Sequence, residues 1–353
     1  KLLFAENSGI VFQTNDHLFV ESALKNSKIA YYIIGKAIKS DTLSIQKNQE
    51  NWKFNIAEYR DIWYKTSYLL DQHQAENYKN QPLNYIFPQH YISKRKDLNQ
   101  PKTTKIKAAI IREKGSNSER EMAYAMYLAG FEVKDVHMTD LISGRETLDD
   151  IQFLVAVGGF SNSDVLGSAK GWAGSFLYNE KANKALTNFF KRNDTISLGV
   201  CNGCQLFIEL GLIHPSHLIK PKMLHNDSGK FECQFTSVAI LKNNSVLFKS
   251  LSDSKLGIWS AHGEGKFSFP YPENKYQIIG KYGYEKYPSN PNGSDFNAAI
   301  ITSDCGRHTV MMPHLERSLF SWNWAYYPEN RNDEISPWLT AFLSANQWFS
   351  NNN

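Results

Sequence analysis

Apolar and polar positions change rhythm twice along this chain. Up to about residue 39 an alternating stretch (Gly9–Thr14) precedes a helix-like segment (His17–Asn26) and an apolar run, Ile29–Ile34, ending at Gly35. That predicts strand, helix, strand, too short to bury a core of its own. Ser40–Asn55 is polar and reads as a linker. Ala57–Asn77 places Tyr59, Ile62, Trp63, Thr66, Leu69 and Leu70 at helical spacing, after which Pro82 and Pro88 break regularity. Ser93–Lys107 is basic and reads as a solvated linker rather than a nucleic-acid arm.

From Lys107 short apolar runs alternate with amphipathic ones. Ala108–Ile111, Phe131–His137, Ile151–Val157 and Ile196–Val200 read as buried strands; Glu119–Ala129, Lys181–Arg192 and Asn202–Leu210 read as helices between and after them. Ser118-Glu-Arg-Glu121 has the form of a capping box, and Gly130 is the matching stop. Later strands are expected at Phe231–Leu241, Lys266–Phe269, Tyr276–Tyr284, Asn297–Thr302 and Thr309–Met312, with a closing helix at Ser336–Phe349. Such alternation predicts an α/β fold with a mostly parallel sheet flanked by helices, whose site lies at the carboxyl ends of the strands.

Composition narrows the class. The chain has 353 residues, 42% hydrophobic and 21% charged, as in a globular protein of two or three units. A net charge of +4 is too small to argue for nucleic acid, and no apolar run is long enough to span a membrane. Four cysteines are too sparse for a disulfide framework and suit a reducing, cytoplasmic setting. The chain opens with Lys1 inside an apolar segment, so a longer protein is expected around it.

The chemistry concentrates on Leu198–Gly211, where an apolar strand meets an amphipathic helix with Cys201 at the turn. A tight turn exposes a side chain, flanking Gly199 and Gly203 let a substrate approach, and a helix N-terminus favours a reactive thiolate. The plain alternative is a small buried cysteine. Cys201 and Cys204 also form a C-x-x-C, which zinc or redox chemistry can use. Zinc needs a second ligand pair, whereas Cys233 and Cys305 are single and far apart, so Cys204 reads more simply as a helix residue facing the sheet. No metal site is expected.

A nucleophile needs a base. His314 follows a strand and Pro313, and Glu316, two residues on, points the same way in extended backbone, able to fix the imidazole. Backbone N–H groups of Gly159 and Asn202 are the natural oxyanion donors, since Gly158-Gly159 and Cys201 both end strands. His262, in Ser260-Ala-His-Gly-Glu-Gly265, is a second histidine in a loop shaped for a ligand or in a plain turn.

These residues resemble a known family. Gly158-Gly-Phe-Ser161 with Asp164-Val-Leu-Gly167, Gly199-Val-Cys-Asn-Gly-Cys-Gln205 and Pro313-His-Leu-Glu-Arg317 are similar to the triad-type (class I) glutamine amidotransferases. Asn226-Asp-Ser-Gly-Lys-Phe-Glu232, Trp259–Gly265, Asn290-Pro-Asn-Gly-Ser294 and Ser336-Pro-Trp338 narrow this to the glutaminase domain of the phosphoribosylformylglycinamidine (FGAM) synthase family, in its large single-chain form. The resemblance implies a flavodoxin-like glutaminase domain over 105–353, a linker with one long helix over 40–104, and over 1–39 a remnant of the α+β synthetase domain. It implies L-glutamine as substrate, Cys201 as nucleophile, His314 as base and acid, Glu316 as orienting carboxylate, and Phe160 and Gln205 beside the bound glutamine. Ammonia would pass to the synthetase domain of the same longer chain, which takes ATP and Mg²⁺; this stretch itself would hold no cofactor. One departure stands out: Leu315 occupies the place where the family usually has proline. Two other readings are a different cysteine hydrolase on the same architecture and a non-catalytic docking module.

Overall fold

The computed structural model describes residues 9–74, 84–98 and 106–352, and the chain separates into two compact units, Lys1–Glu76 and Asn77–Asn353. The first unit contains helix α1 (His17–Asn26), an antiparallel hairpin of β1 (Thr42–Lys47) and β2 (Glu50–Asn55), and the long helix α2 (Ile56–Gln74). Asp16 caps α1 by accepting the Phe19 N–H at 3.0 Å. The hairpin lies where the polar composition suggested a linker, and the apolar run Ile29–Ile34 forms no strand. No described side chain of this unit is buried.

The second unit carries β3 (Lys107–Arg112), α3 (Glu119–Leu128), β4 (Glu132–His137), α4 (Met138–Ser143), β5 (Phe153–Ala156), α5 (Lys170–Tyr178), α6 (Glu180–Lys191), β6 (Ile196–Val200) and α7 (Asn202–Glu209). It continues with β7 (Lys222–Leu224), β8 (Glu232–Ile240), β9 (Lys255–His262), β10 (Lys266–Ser268), β11 (Gln277–Tyr282), β12 (Ala298–Thr302), β13 (His308–Met311) and α8 (Leu339–Asn352). A nine-stranded sheet runs β4-β3-β5-β6-β13-β12-β11-β8-β9. The strands from β4 to β13 in that order are parallel, and those from β12 to β9 antiparallel, so the α/β expectation holds with a mixed rather than mostly parallel sheet. β7 and β10 pair separately.

The parallel strands β5 and β6 are buried along their whole length, as continuous apolar runs require. The β8–β9 arm was only half foreseen. Gly257 interrupts the β9 pattern, because a side chain there would collide with the Phe235 and Trp324 rings. His262 is therefore the last residue of a strand and not part of a free loop.

The basic stretch is anchored only at its start. Before it, Ile86 and Lys255 exchange backbone hydrogen bonds at 2.8 Å and Tyr85 packs edge-on against Trp324; within it, the Glu334 N–H donates to the Ser93 carbonyl while Arg95, Lys96 and Asp97 stay exposed. Arg95 pairs with Glu334, which neutralises it against this unit. Residues 99–105 of that stretch lie outside the described residues.

The capping box at Ser118 does not form. Ser118 sits at φ +71° and its side chain makes no cap bond. The loop before it serves the β5 end instead: the Asn117 N–H donates to the Gly158 carbonyl at 2.8 Å, and Arg317 donates to Asn117 Oδ1 at 2.7 Å.

Candidate active site

Cys201 stands between β6 and α7 with φ +51° and ψ −106°, a strained conformation for a residue with a side chain. Two close approaches force the elbow. A Cβ on Gly203 would lie 2.0 Å from the Ala156 carbonyl oxygen, and one on Gly199 would lie 2.6 Å from that of Gly203, so only glycines let α7 settle onto β5 and β6. The Cys201 N–H is held by the Met311 carbonyl at 2.9 Å, and its Sγ lies 3.5 Å from the Ala261 carbonyl at the end of β9.

His314 follows β13 and is fixed by its own N–H, which donates to the Trp259 carbonyl at 2.8 Å. Its ring and the Cys201 side chain abut at Gly158, and its Nδ1 lies 2.7 Å from Glu316 Oε1. Burial alone would lower the imidazole pKa, but the Glu316 carboxylate and the Cys201 sulfur outweigh it and raise it. Burial works against the Glu316 charge too, yet His314 and Arg317 hold that carboxylate below its ordinary range. A Cβ on Gly158 would touch His314 Cε1 at 2.7 Å and Cys201 Cβ at 3.4 Å, so this glycine clears the space in which the two side chains meet. Leu315, between the histidine and the glutamate, is fully buried, so the segment is pinned by apolar packing in place of a proline ring.

Cys204 is also fully buried, and burial pushes its thiol up. The C-x-x-C is thus one turn residue and one core residue. Among the described residues no group of three or more His, Cys, Asp or Glu comes together as a metal ligand set.

Two backbone donors flank Cys201: Gly159 lines the same cavity, and Asn202 follows it in the chain. Ser116 and Gly159 form a bridge that uses the Gly158 carbonyl and the Phe160 N–H and leaves the Gly159 N–H without a partner among the described residues. Gly159 reaches this geometry at φ +123°, with the Ser116 backbone so close that no side chain would fit. Asn202 opens α7, where the first N–H groups have no helical acceptor.

A cavity of about 270 Å³ opens on Cys201, large enough for an amino acid, and it is lined by Gly159, Phe160, Gln205 and His262 among others. Phe160 is half exposed at this cavity, its ring 5.8 Å from Phe231. His262 is buried behind the wall, with Nε2 3.4 Å from the Asn292 amide; burial, then the nearby His314, push its pKa down to about 3, so the ring is neutral. Gln205 is buried, and both ends of its amide are already used: Oε1 accepts from Asn202 Nδ2 at 2.9 Å, and Nε2 donates to the Glu264 carbonyl at 2.8 Å.

The sequence reading passed over several residues of this wall. The Ser161 N–H donates to Asn202 Oδ1 at 3.1 Å. The Ser168 N–H donates to Glu264 Oε2 at 3.2 Å, and Ser168 Oγ to Asp164 Oδ2 at 3.1 Å. Asp164, Ser168 and Glu264 all line the cavity. Asp164 and Glu264 lie inside the recognised motifs, but partners so distant in the chain leave no periodic trace.

A family model of CobB/CobQ-like glutamine amidotransferase domains matches residues 105–349. The probable phosphoribosylformylglycinamidine synthase, chloroplastic/mitochondrial, of Arabidopsis thaliana is 37% identical over 98% of this chain and 27% of its own length. The phosphoribosylformylglycinamidine synthase of Homo sapiens is 39% identical over 83% of this chain and 25% of its own. The solved structure of PurLQS from Thermotoga maritima superposes with a TM-score of 0.54 at 25% identity, covering 69% of this chain and 99% of that one. The FGAM synthase resemblance is thereby borne out, and this chain spans about a quarter of those relatives' length. No helix among the described residues is long and apolar enough to cross a membrane. With the model matching well over half of its residues, the chain belongs to the family of CobB/CobQ-like glutamine amidotransferase domains.

Proposed function

We propose that this chain hydrolyses L-glutamine as the glutaminase part of an FGAM synthase, with Cys201 as nucleophile, His314 as base and acid and Glu316 as its orienting carboxylate. One observation carries this: Cys201 and the hydrogen-bonded pair His314–Glu316, from two segments more than a hundred residues apart, are buried together around Gly158 at the wall of a cavity sized for an amino acid. The Cys201 sulfur attacks the side-chain amide carbon, and the carbonyl electron pair moves onto oxygen. The Gly159 and Asn202 N–H groups hold that oxyanion. On collapse the C–N bond breaks, His314 passes its proton to the departing nitrogen, and ammonia leaves a glutamyl thioester. Since Glu316 occupies Nδ1, Nε2 is the nitrogen that exchanges this proton. Water, deprotonated by the same Nε2, attacks the thioester, and glutamate leaves as the thiol is restored.

In the longer protein the ammonia would pass internally to the synthetase domain, which converts formylglycinamide ribonucleotide to the amidine in purine biosynthesis with ATP and Mg²⁺. The names of the relatives support this, as does their extra length, which leaves room for a synthetase. The expected cytoplasmic setting rests on four free cysteines, although the Arabidopsis thaliana relative's name places that protein in organelles. The test is labelling with a glutamine-analogue electrophile, followed by mapping of the modified residue. Modification at Cys201, its loss in Cys201→Ser, and ammonia release from free glutamine are expected. Release of glutamate from peptides alone overturns the reading in favour of a different cysteine hydrolase.

A further inference from the structure

Five side chains tie three segments together around the cavity. Ser161, after β5, donates its N–H to Asn202 on α7; Asn202 donates to Gln205 one turn on; Gln205 donates to the Glu264 carbonyl beyond β9; Ser168 donates to the Glu264 carboxylate and, through its hydroxyl, to Asp164. Asp164 closes the ring, because Ser161–Asp164 is one short turn in which Asn162, Ser163 and Asp164 all take positive φ. Asn202 is fully buried, and its amide orientation is set by a backbone donor on one side and a side-chain acceptor on the other.

We infer that the Asn202 side chain is a positioning residue for the oxyanion site, setting the distance between its two N–H donors. The inference rests on the acyl-transfer reading above. Asn202 supplies one donor from its own backbone. Its Oδ1 holds Ser161, two residues beyond Gly159, which supplies the other. The spacing of the pair therefore passes through one residue, with the other side of the Gly158-Gly159 loop fixed by Asn117 and Gly115. The amide touches no reacting atom, since both of its polar atoms are already bonded within the protein. The ring also gives Gln205 a role distinct from holding substrate: it passes the register of α7 on to the Glu264 loop.

The two reactions of Cys201 separate this role from a merely structural one. Acylation by glutamine develops an oxyanion; alkylation by iodoacetamide needs the thiolate and no oxyanion. In Asn202→Ala, rapid-quench measurement of thioester formation is expected to fall about 100-fold, the scale of losing one oxyanion donor, with KM changed less than about threefold. Iodoacetamide alkylation of Cys201 should stay within about twofold of the parent chain, since the same thiolate is present. Asn202→Asp keeps the acceptor for the Ser161 N–H while losing the donor to Gln205, and it should recover about tenfold of the loss. The inference is overturned if acylation and alkylation fall together, if the whole loss appears in KM, or if Asn202→Asp recovers nothing. A parent chain that forms no thioester would instead sink the proposed function, which keeps the two failures apart.

Discussion

His314 Nδ1 lies 2.7 Å from Glu316 Oε1, and both side chains are buried. A carboxylate so placed orients the ring and stabilises its protonated form. Glu316→Gln keeps the shape and removes the charge. It should lower kcat for ammonia release about 10³- to 10⁴-fold with little change in KM. An unchanged kcat would show that His314 is held by packing alone.

The same pair sets a pH window for stability. Glu316 is held below its ordinary 4.5, so its contribution is complete above that pH and is lost as pH falls through its folded value. His314 is raised from 6.5 to about 10, so its contribution is complete below 6.5 and is lost as pH rises through about 10. The advantage of the parent chain over Glu316→Gln in urea denaturation should therefore be widest between pH 4.5 and 6.5 and shrink toward both ends. A gap that is constant from pH 4 to 10 would contradict the ion pair.

Cys201 stores backbone strain at φ +51°. Glycine relieves it and alanine does not. Cys201→Gly should be more stable than Cys201→Ala by about 1 kcal/mol in chemical denaturation, against the usual order of these two residues. Both variants should lose ammonia release. The reverse order of stability would mean that the elbow is unstrained.

Gly158 separates function from fold. An added methyl would meet His314 Cε1 at 2.7 Å, the edge of a side chain rather than backbone. Gly158→Ala should fold, with a loss of about 1–3 kcal/mol, and should lose at least tenfold in kcat because His314 is pushed off Cys201. Retention of full activity would place His314 elsewhere during the reaction.

Leu315 holds the His314–Glu316 segment by burial. Leu315→Ala should cost about 2–5 kcal/mol and lower kcat, as the cavity lets the pair relax. If stability drops while kcat is untouched, the segment is positioned by the Trp259 bridge alone.

Much of the site was legible because it is local. The β6 strand, the Cys201 turn and helix α7 lie within fourteen residues, and a change from strand to helical periodicity marks them without any distant partner. His314 and Glu316 are two residues apart, which made the pair easy to find, but the segment is not extended: the Ser318 N–H closes a turn on the Leu315 carbonyl, and that turn brings the carboxylate to the ring. Where tertiary contacts compete with local preference, the pattern misled. Ser118 has the sequence of a helix cap, but the Asn117 backbone is committed to Gly158, and the cap is given up. At Gly257 the missing side chain leaves the gap into which the Phe235 and Trp324 rings fit.

By itself, then, the sequence determined the α/β plan, the turn at Cys201, the His–Glu pair and the family, because each is written in spacings of a few residues. The tertiary structure alone decided that β6 and β13 lie side by side, bringing Cys201 to His314, and that Ser161, Asn202, Gln205 and Glu264 join in one ring. The Ser161–Asn202 bond spans 41 residues and the Gln205–Glu264 bond 59. Such pairings follow from the order of strands in the sheet, which periodicity along one strand does not encode.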